Sequence, residues 1–146
     1  MVEAEGQTFP FDGVEKITPH LLETFPYEYP GREAEVVIAT DEGNCVCPFS
    51  GLPDFGTLTI RYVPDARCLE LKSLKYYLTA YRTVGIYQEH AANRVLDDLL
   101  AVCRPRRMEE ALVEVKAAVA ADPRSVTAQY LLGSIYFQKN DGEEAM

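Results

Sequence analysis

The sequence predicts an α+β fold in which two antiparallel strands precede two helices and a helical C-terminal tail. Three observations carry this. Thr57 to Val63 alternates in polarity, with Leu58, Ile60 and Tyr62 on one face and Thr57, Thr59 and Arg61 on the other, the period of a half-buried strand. Leu71, Leu74 and Leu78, then Val95, Leu96 and Leu99, recur at helical spacing. Beyond Pro105, the spacing of Ala111, Leu112, Val115, Ala118 and Val119 gives a further apolar stripe ahead of Asp122-Pro123.

In chain order, residues 1–32 read as an extended arm, because Phe9-Pro10, Phe25-Pro26 and Tyr29-Pro30 disfavour helix at the residue before each proline. Its aromatic rings are expected to lie across the domain or a neighbouring subunit. Val36-Val37-Ile38-Ala39 is the first strand, and Asp41-Glu42-Gly43-Asn44 is a turn signal after it. The second strand spans Thr57 to Val63 and ends at Pro64, which cannot donate to a ladder. One helix runs from Leu71 towards Gly85. The next begins at Tyr87 to Glu89 and continues through Leu100, with Asp97 and Asp98 facing water. A last helix is predicted from Ser125, its N-cap, to about Lys139. The expected organisation is an arm (1–32), a core (33–107) and a helical tail (108–146).

The 146 residues, 47% of them hydrophobic, suffice for one cored domain. A formal charge of −9 argues against direct nucleic-acid binding, since Arg104-Pro105-Arg106-Arg107 is the sole basic cluster. No apolar run approaches the roughly 20 residues that span a bilayer, and no signal-peptide layout opens the chain. A cytoplasmic location without membrane partners is expected. Four cysteines in such a chain read as free thiols. Cys45 and Cys47 form a Cys-x-Cys pair, but no second pair completes a zinc set, so no metal is expected.

Cys47-Pro48-Phe49-Ser50-Gly51-Leu52-Pro53-Asp54-Phe55-Gly56 sets a thiol and a carboxylate at the ends of one proline-bounded loop. Prolines fix φ and glycines permit positive φ, so the segment turns sharply and can aim the thiol. Cys47 can serve there as a nucleophile or as a small buried residue. Asp54 can act as an acid or cap a turn. Glu89 sits in the first turn of its helix, in the positive field of the helix dipole, where a carboxylate is favoured. Lys72 and Lys75 fit a phosphate site or a solvated face equally well.

Together with Glu70-Leu71-Lys72-Ser73-Leu74-Lys75-Tyr76-Tyr77, this loop resembles the 7-cyano-7-deazaguanine reductases, the nitrile reductases of queuosine tRNA-modification biosynthesis. The resemblance covers roughly residues 25–107. It implies a tunnelling fold whose subunits join sheets into a barrel, as a homo-oligomer with active sites between subunits. It implies reduction of a nitrile to a primary amine with two NADPH. Carried over, Cys47 attacks the nitrile to form a thioimide and Asp54 donates the proton. Leu69, Glu70, Leu71, Gln88 and Glu89 contact the deazapurine, and Leu71, Lys72 and Lys75 the cofactor. Gln88 stands where the family often has histidine, with His90 after Glu89 instead. No glycine-rich dinucleotide fingerprint is present, so NADPH rests on the resemblance.

The family's two further strands, after its second helix, have no counterpart legible in the sequence. Residues 108–146 resemble a tetratricopeptide repeat instead, through Glu109-Glu110-Ala111-Leu112, Ala121-Asp122-Pro123, Tyr130-Leu131-Leu132-Gly133 and Gly142-Glu143-Glu144-Ala145. That pattern stops at Met146, which reads as a truncated or fused end. Two alternatives follow: a catalytically impaired member binding a protein partner through its tail, or an amidine-forming relative in which an amine attacks the thioimide without NADPH.

Overall fold

The structure, a computed structural model, describes residues 5–7, 9–114 and 134–135. Its strands are β1 (Thr24–Pro26), β2 (Val36–Val46), β3 (Pro53–Val63), β4 (Arg67–Leu69), β5 (Arg107–Glu114) and β6 (Ser134–Ile135). Its helices are α1 (Leu71–Thr79) and α2 (Gln88–Cys103), with 3-10 turns at Val14–Lys16, Pro19–Leu21 and Ala80–Thr83. One sheet has the order β2-β3-β5-β6, and β1 and β4 form a two-stranded second sheet. Every pairing between these strands is antiparallel. The predicted α+β class with antiparallel strands and two helices is observed.

The alternation of β3 does what its period dictates. Leu58, Ile60 and Tyr62 are buried and pack with Leu74, Tyr77, Val95 and Leu99 in one core. The leucine spacing of α1 misplaces one residue: Leu71 is 57% exposed. The buried stripe is instead Leu74, Tyr77 and Tyr81, three and four residues apart, because tyrosine rings bury as much apolar area as leucine. Their hydroxyls then need partners. Tyr77 donates to Asp98 (2.7 Å) and lies 2.8 Å from the Tyr81 hydroxyl, while Arg94 Nε–H donates to the same Asp98 oxygen at 2.9 Å. Asp98 is therefore drawn inward, against the expectation that it faces water beside Asp97.

Three boundaries also differ. β2 runs through the expected turn at Asp41–Asn44, which is a bulge, with the register shifting between Thr40 and Gly43. β3 starts at Pro53, so Asp54 and Gly56 lie on a strand rather than in the loop. The arm is tied down where β1 pairs with β4.

The largest difference lies after α2. Residues 108–114, expected to open a helical tail, belong to β5, paired with β3 from Val63↔Arg107 to Thr57↔Glu114. Ser134–Ile135, expected within the last helix, pair with β5. The exposed edge of β3 offers unpaired N–H and C=O groups, and satisfying them outweighs a local helical spacing. The remainder of the proposed repeat lies outside the described residues. Among those described, no helix is long and apolar enough to cross a membrane.

Candidate active site

The hairpin between β2 and β3 builds the thiol site. Cys47 N–H donates to the Leu52 carbonyl (2.9 Å) and Gly51 N–H to the Cys47 carbonyl (2.8 Å), closing a tight loop. Gly51 adopts φ 70°, which is open to glycine at little cost. The turn leaves Cys47 half-buried, Phe49 exposed at the tip, and Cys45 buried one strand period earlier.

Asp54 is the register partner of Cys45, so both project from the same face of the hairpin, the face that carries Leu58 and Ile60. The half-buried Asp54 carboxyl is raised above its ordinary range, first by burial and then by the charge of Glu89. The Cys45 thiol is pushed up to about 12 by burial, then by Asp54, Cys47 and Glu89. Asp54, Cys47 and Glu89 thus each act on the Cys45 thiol, and Glu89 acts on Asp54 as well. Cys45 is thereby a structural residue and a poor thiolate ligand.

Glu89 reaches this cluster because the start of α2 is pinned to the end of β2. Val46 N–H donates to the Val84 carbonyl (2.9 Å) and Ile86 N–H to the Val46 carbonyl (3.0 Å). Cys47 follows directly, and Glu89 lies exposed in the first turn of α2 three residues beyond Ile86. A cavity beside Asp54 is lined by Asn44, Leu58, Tyr81, Gln88, Ala92 and Val95. Asn44 and Tyr81 escaped the sequence reading. Asn44 Nδ2–H donates to the Asp54 carbonyl (3.1 Å) and steadies that strand pair. Only the Tyr77/Tyr81 spacing hinted at a second inward-facing stripe.

The other predicted residues gather at the start of α1. Leu69 is 3% exposed, so in this chain its side chain serves the core. Glu70 caps α1: Oε1 accepts from Lys72 N–H (2.9 Å) and Oε2 from Ser73 N–H (2.6 Å). These two backbone bonds hold its carboxyl below the ordinary range. Ser73 Oγ–H donates to the Glu70 carbonyl (2.8 Å), and its oxygen accepts from Glu23 N–H (2.9 Å). The unusual string Glu70 to Ser73 is thus also a helix cap that docks the arm. Leu71, Lys72 and Lys75 are exposed, with Lys75 3.3 Å from Glu42. Leu71 and Lys75 line a second cavity with Ile38, Thr40 and Arg82. Within one chain, the residues of the thiol cluster and those of α1 line separate hollows that adjoin at Leu78.

A sequence model of the QueF-like protein family matches residues 53–123. The NADPH-dependent 7-cyano-7-deazaguanine reductase of Caldicellulosiruptor bescii is 55% identical over 105 residues, which cover 72% of this chain and 80% of that protein. The protein of the same name from Chloroherpeton thalassium is 44% identical over 112 residues, 77% of this chain and 95% of the relative. Among solved structures, the archaeosine synthase QueF-Like in its apo form matches with a TM-score of 0.53 and 25% identity, over 57% of this chain and 82% of that one. Sharing this fold with one QueF-like protein and over half of its aligned residues with a reductase whose length it largely spans, the chain belongs to the NADPH-dependent 7-cyano-7-deazaguanine reductase family.

Proposed function

We propose that the chain reduces the nitrile of 7-cyano-7-deazaguanine to the aminomethyl group with NADPH, within queuosine biosynthesis, through a covalent bond to Cys47. The observation that carries this is the hairpin itself. It carries a half-buried thiol at its turn and, on the returning strand opposite Cys45, a carboxyl whose pKa is raised by burial and by Glu89. In the first step the Cys47 thiolate adds to the nitrile carbon and an S–C bond forms. One C≡N π pair moves to nitrogen, which takes the proton of Asp54, leaving a thioimide and an Asp54 carboxylate. A raised pKa suits that role, because Asp54 retains its proton at a pH where an ordinary aspartate has lost it. Glu89, open to solvent at the start of α2, accepts the paired N–H donors of a guanine-like ring. Gln88, lining the cavity with Asp54, is placed to add an amide contact.

Lys72 and Lys75 are exposed amines that fit a phosphate-bearing cofactor, with Leu71 as apolar contact beside them. When bound there, NADPH supplies the reducing equivalents. Among the described residues β2 is an edge strand of its sheet, bridged only at Val46, and Phe49, Leu52 and Phe55 are exposed at the hairpin end. We read both as surfaces met by further copies in a homo-oligomer, and residues 33–107 as the catalytic core of a cytoplasmic protein.

The test is incubation with 7-cyano-7-deazaguanine. A mass increase on Cys47 and its absence in Cys47→Ala are expected, and an intact protein that acquires no adduct sinks the proposal. The likeness to an archaeosine synthase motivates a second reading, in which an amine attacks the same thioimide. An adduct that forms without any subsequent NADPH oxidation would favour that reading. The 55% identity to a reductase favours the first.

A further inference from the structure

Residues Phe9 to Asp12 cross the base of the thiol loop. Asp12 N–H donates to the Thr83 carbonyl (2.7 Å), and the Asp12 carbonyl accepts from Gly85 N–H (2.9 Å). The arm thus forms a parallel bridge with Val84, and Val46 forms another with Gly85. Three segments lie side by side, the arm, residues 83–86 and the end of β2, with Cys47 the next residue along.

Two glycines permit this approach. A Cβ on Gly51 would stand 2.6 Å from both the N and the O of Phe9. A Cβ on Gly85 would collide with the Phe11 ring. Gly51 is also the residue whose N–H closes the loop onto the Cys47 carbonyl. The arm therefore rests on the loop at Gly51 and, through Gly85 and Val84, on the strand end that carries Cys47.

We propose that Phe9–Asp12 is a positioning strap that sets the aim of Cys47, with Phe11 on Gly85 as its seat. Phe11 touches no reacting group and acts through residues 83–86 and Val46. The proposal rests on Cys47 being the nucleophile. Its physical basis is that a thiol must approach the nitrile carbon along one line, and a displacement of about 1 Å costs on the order of 100-fold in rate. Backbone bonds hold residues 83–86 to Val46 on one side and to Asp12 on the other, and the Phe11 ring packed on Gly85 fixes the Asp12 side in place. Phe11 is 42% exposed, so truncating it removes little core.

The experiment uses the full chain as Phe11→Ala, Gly85→Ala, the double variant and Phe11→Leu. Adduct formation with 7-cyano-7-deazaguanine is timed by intact mass, alongside iodoacetamide alkylation of Cys47 and hydrogen exchange at the Val46 and Ile86 amides. Phe11→Ala and Gly85→Ala should each slow adduct formation about tenfold and speed both exchanges. Phe11→Leu should stay near the original rate. The double variant should be no slower than either single one, because both changes remove one contact. Alkylation should be undiminished, since a small reagent needs no aim. Unchanged adduct rates and exchange in Gly85→Ala, additive losses in the double variant, or alkylation falling in step would each overturn the strap. If the unaltered protein forms no adduct, the nucleophile reading fails instead, and exchange at Val46 and Ile86 then decides the strap by itself.

Discussion

Asp54 is under two opposed demands, because the burial that keeps its proton available also penalises its charge. Its pKa is higher folded than unfolded, so the penalty is absent below the unfolded value of 3.8 and complete once pH exceeds the raised folded value. Asp54→Asn should therefore abolish adduct formation while raising the denaturant midpoint at neutral pH. The gain should be about 1 kcal/mol or less, since a site this open to solvent is partly screened. An Asp54→Asn variant less stable than the original at pH 7 would contradict this. Glu89→Gln removes the second cause of the shift. The limb of the pH profile on which the acid form is lost, measured at saturating nitrile, should then move to lower pH. A limb that stays in place would assign it to another group.

The two elements that frame the site are joined by short polar links. Ser73 is 5% exposed and serves two backbone groups at once, the Glu70 carbonyl and the Glu23 N–H. Ser73→Ala leaves both without that partner and should cost about 1–3 kcal/mol in urea unfolding. Adduct formation on Cys47 should survive, because the thiol cluster lies at the hairpin and α2. On the hairpin, the β2 bulge is possible because Gly43 faces Gly56 with no side chain between them. A Cβ on Gly43 would meet the Gly56 carbonyl oxygen at 2.5 Å. Gly43→Ala should destabilise by about 1–3 kcal/mol and disturb Asn44 and Asp54 just beyond the bulge, which a lower midpoint together with slower adduct formation would register.

At the scale of the molecule, tyrosines fill much of the space between sheet and helices. Burial pushes the Tyr62 and Tyr81 hydroxyls up to about 12 and Tyr77 upward as well, against an unfolded value of 10.0. The sign is clear: between pH 10 and 12 the unfolded chain loses protons that the folded chain keeps. Stability should hold up to about pH 10 and fall steadily above it. Denaturant midpoints at pH 8 and pH 11 check this, and Tyr81→Phe should flatten the decline. A midpoint that does not change between those pH values would contradict the buried network around Asp98.

Periodicity was sufficient wherever a segment's environment is set by its own spacing. The β3 face of Leu58, Ile60 and Tyr62, the α2 stripe of Val95, Leu96 and Leu99, and the thiol loop with its prolines and glycines could be read directly, since backbone sterics and alternation are local properties. The residues of the loop and the Glu70 to Tyr77 string were enough to point to the family. Partners distant in sequence were not legible. Arg107–Glu114 has a spacing compatible with helix, yet it pairs with β3 because an open sheet edge needs its backbone groups satisfied. Asp98 turns inward because Tyr77 and Arg94 meet it there, and Glu70, read from the sequence as a substrate contact, caps α1. The pinning of the start of α2 to the end of β2, and the seating of Phe11 on Gly85, depend on contacts between segments tens of residues apart. Such contacts leave no period in the chain, and only the closed fold decides them.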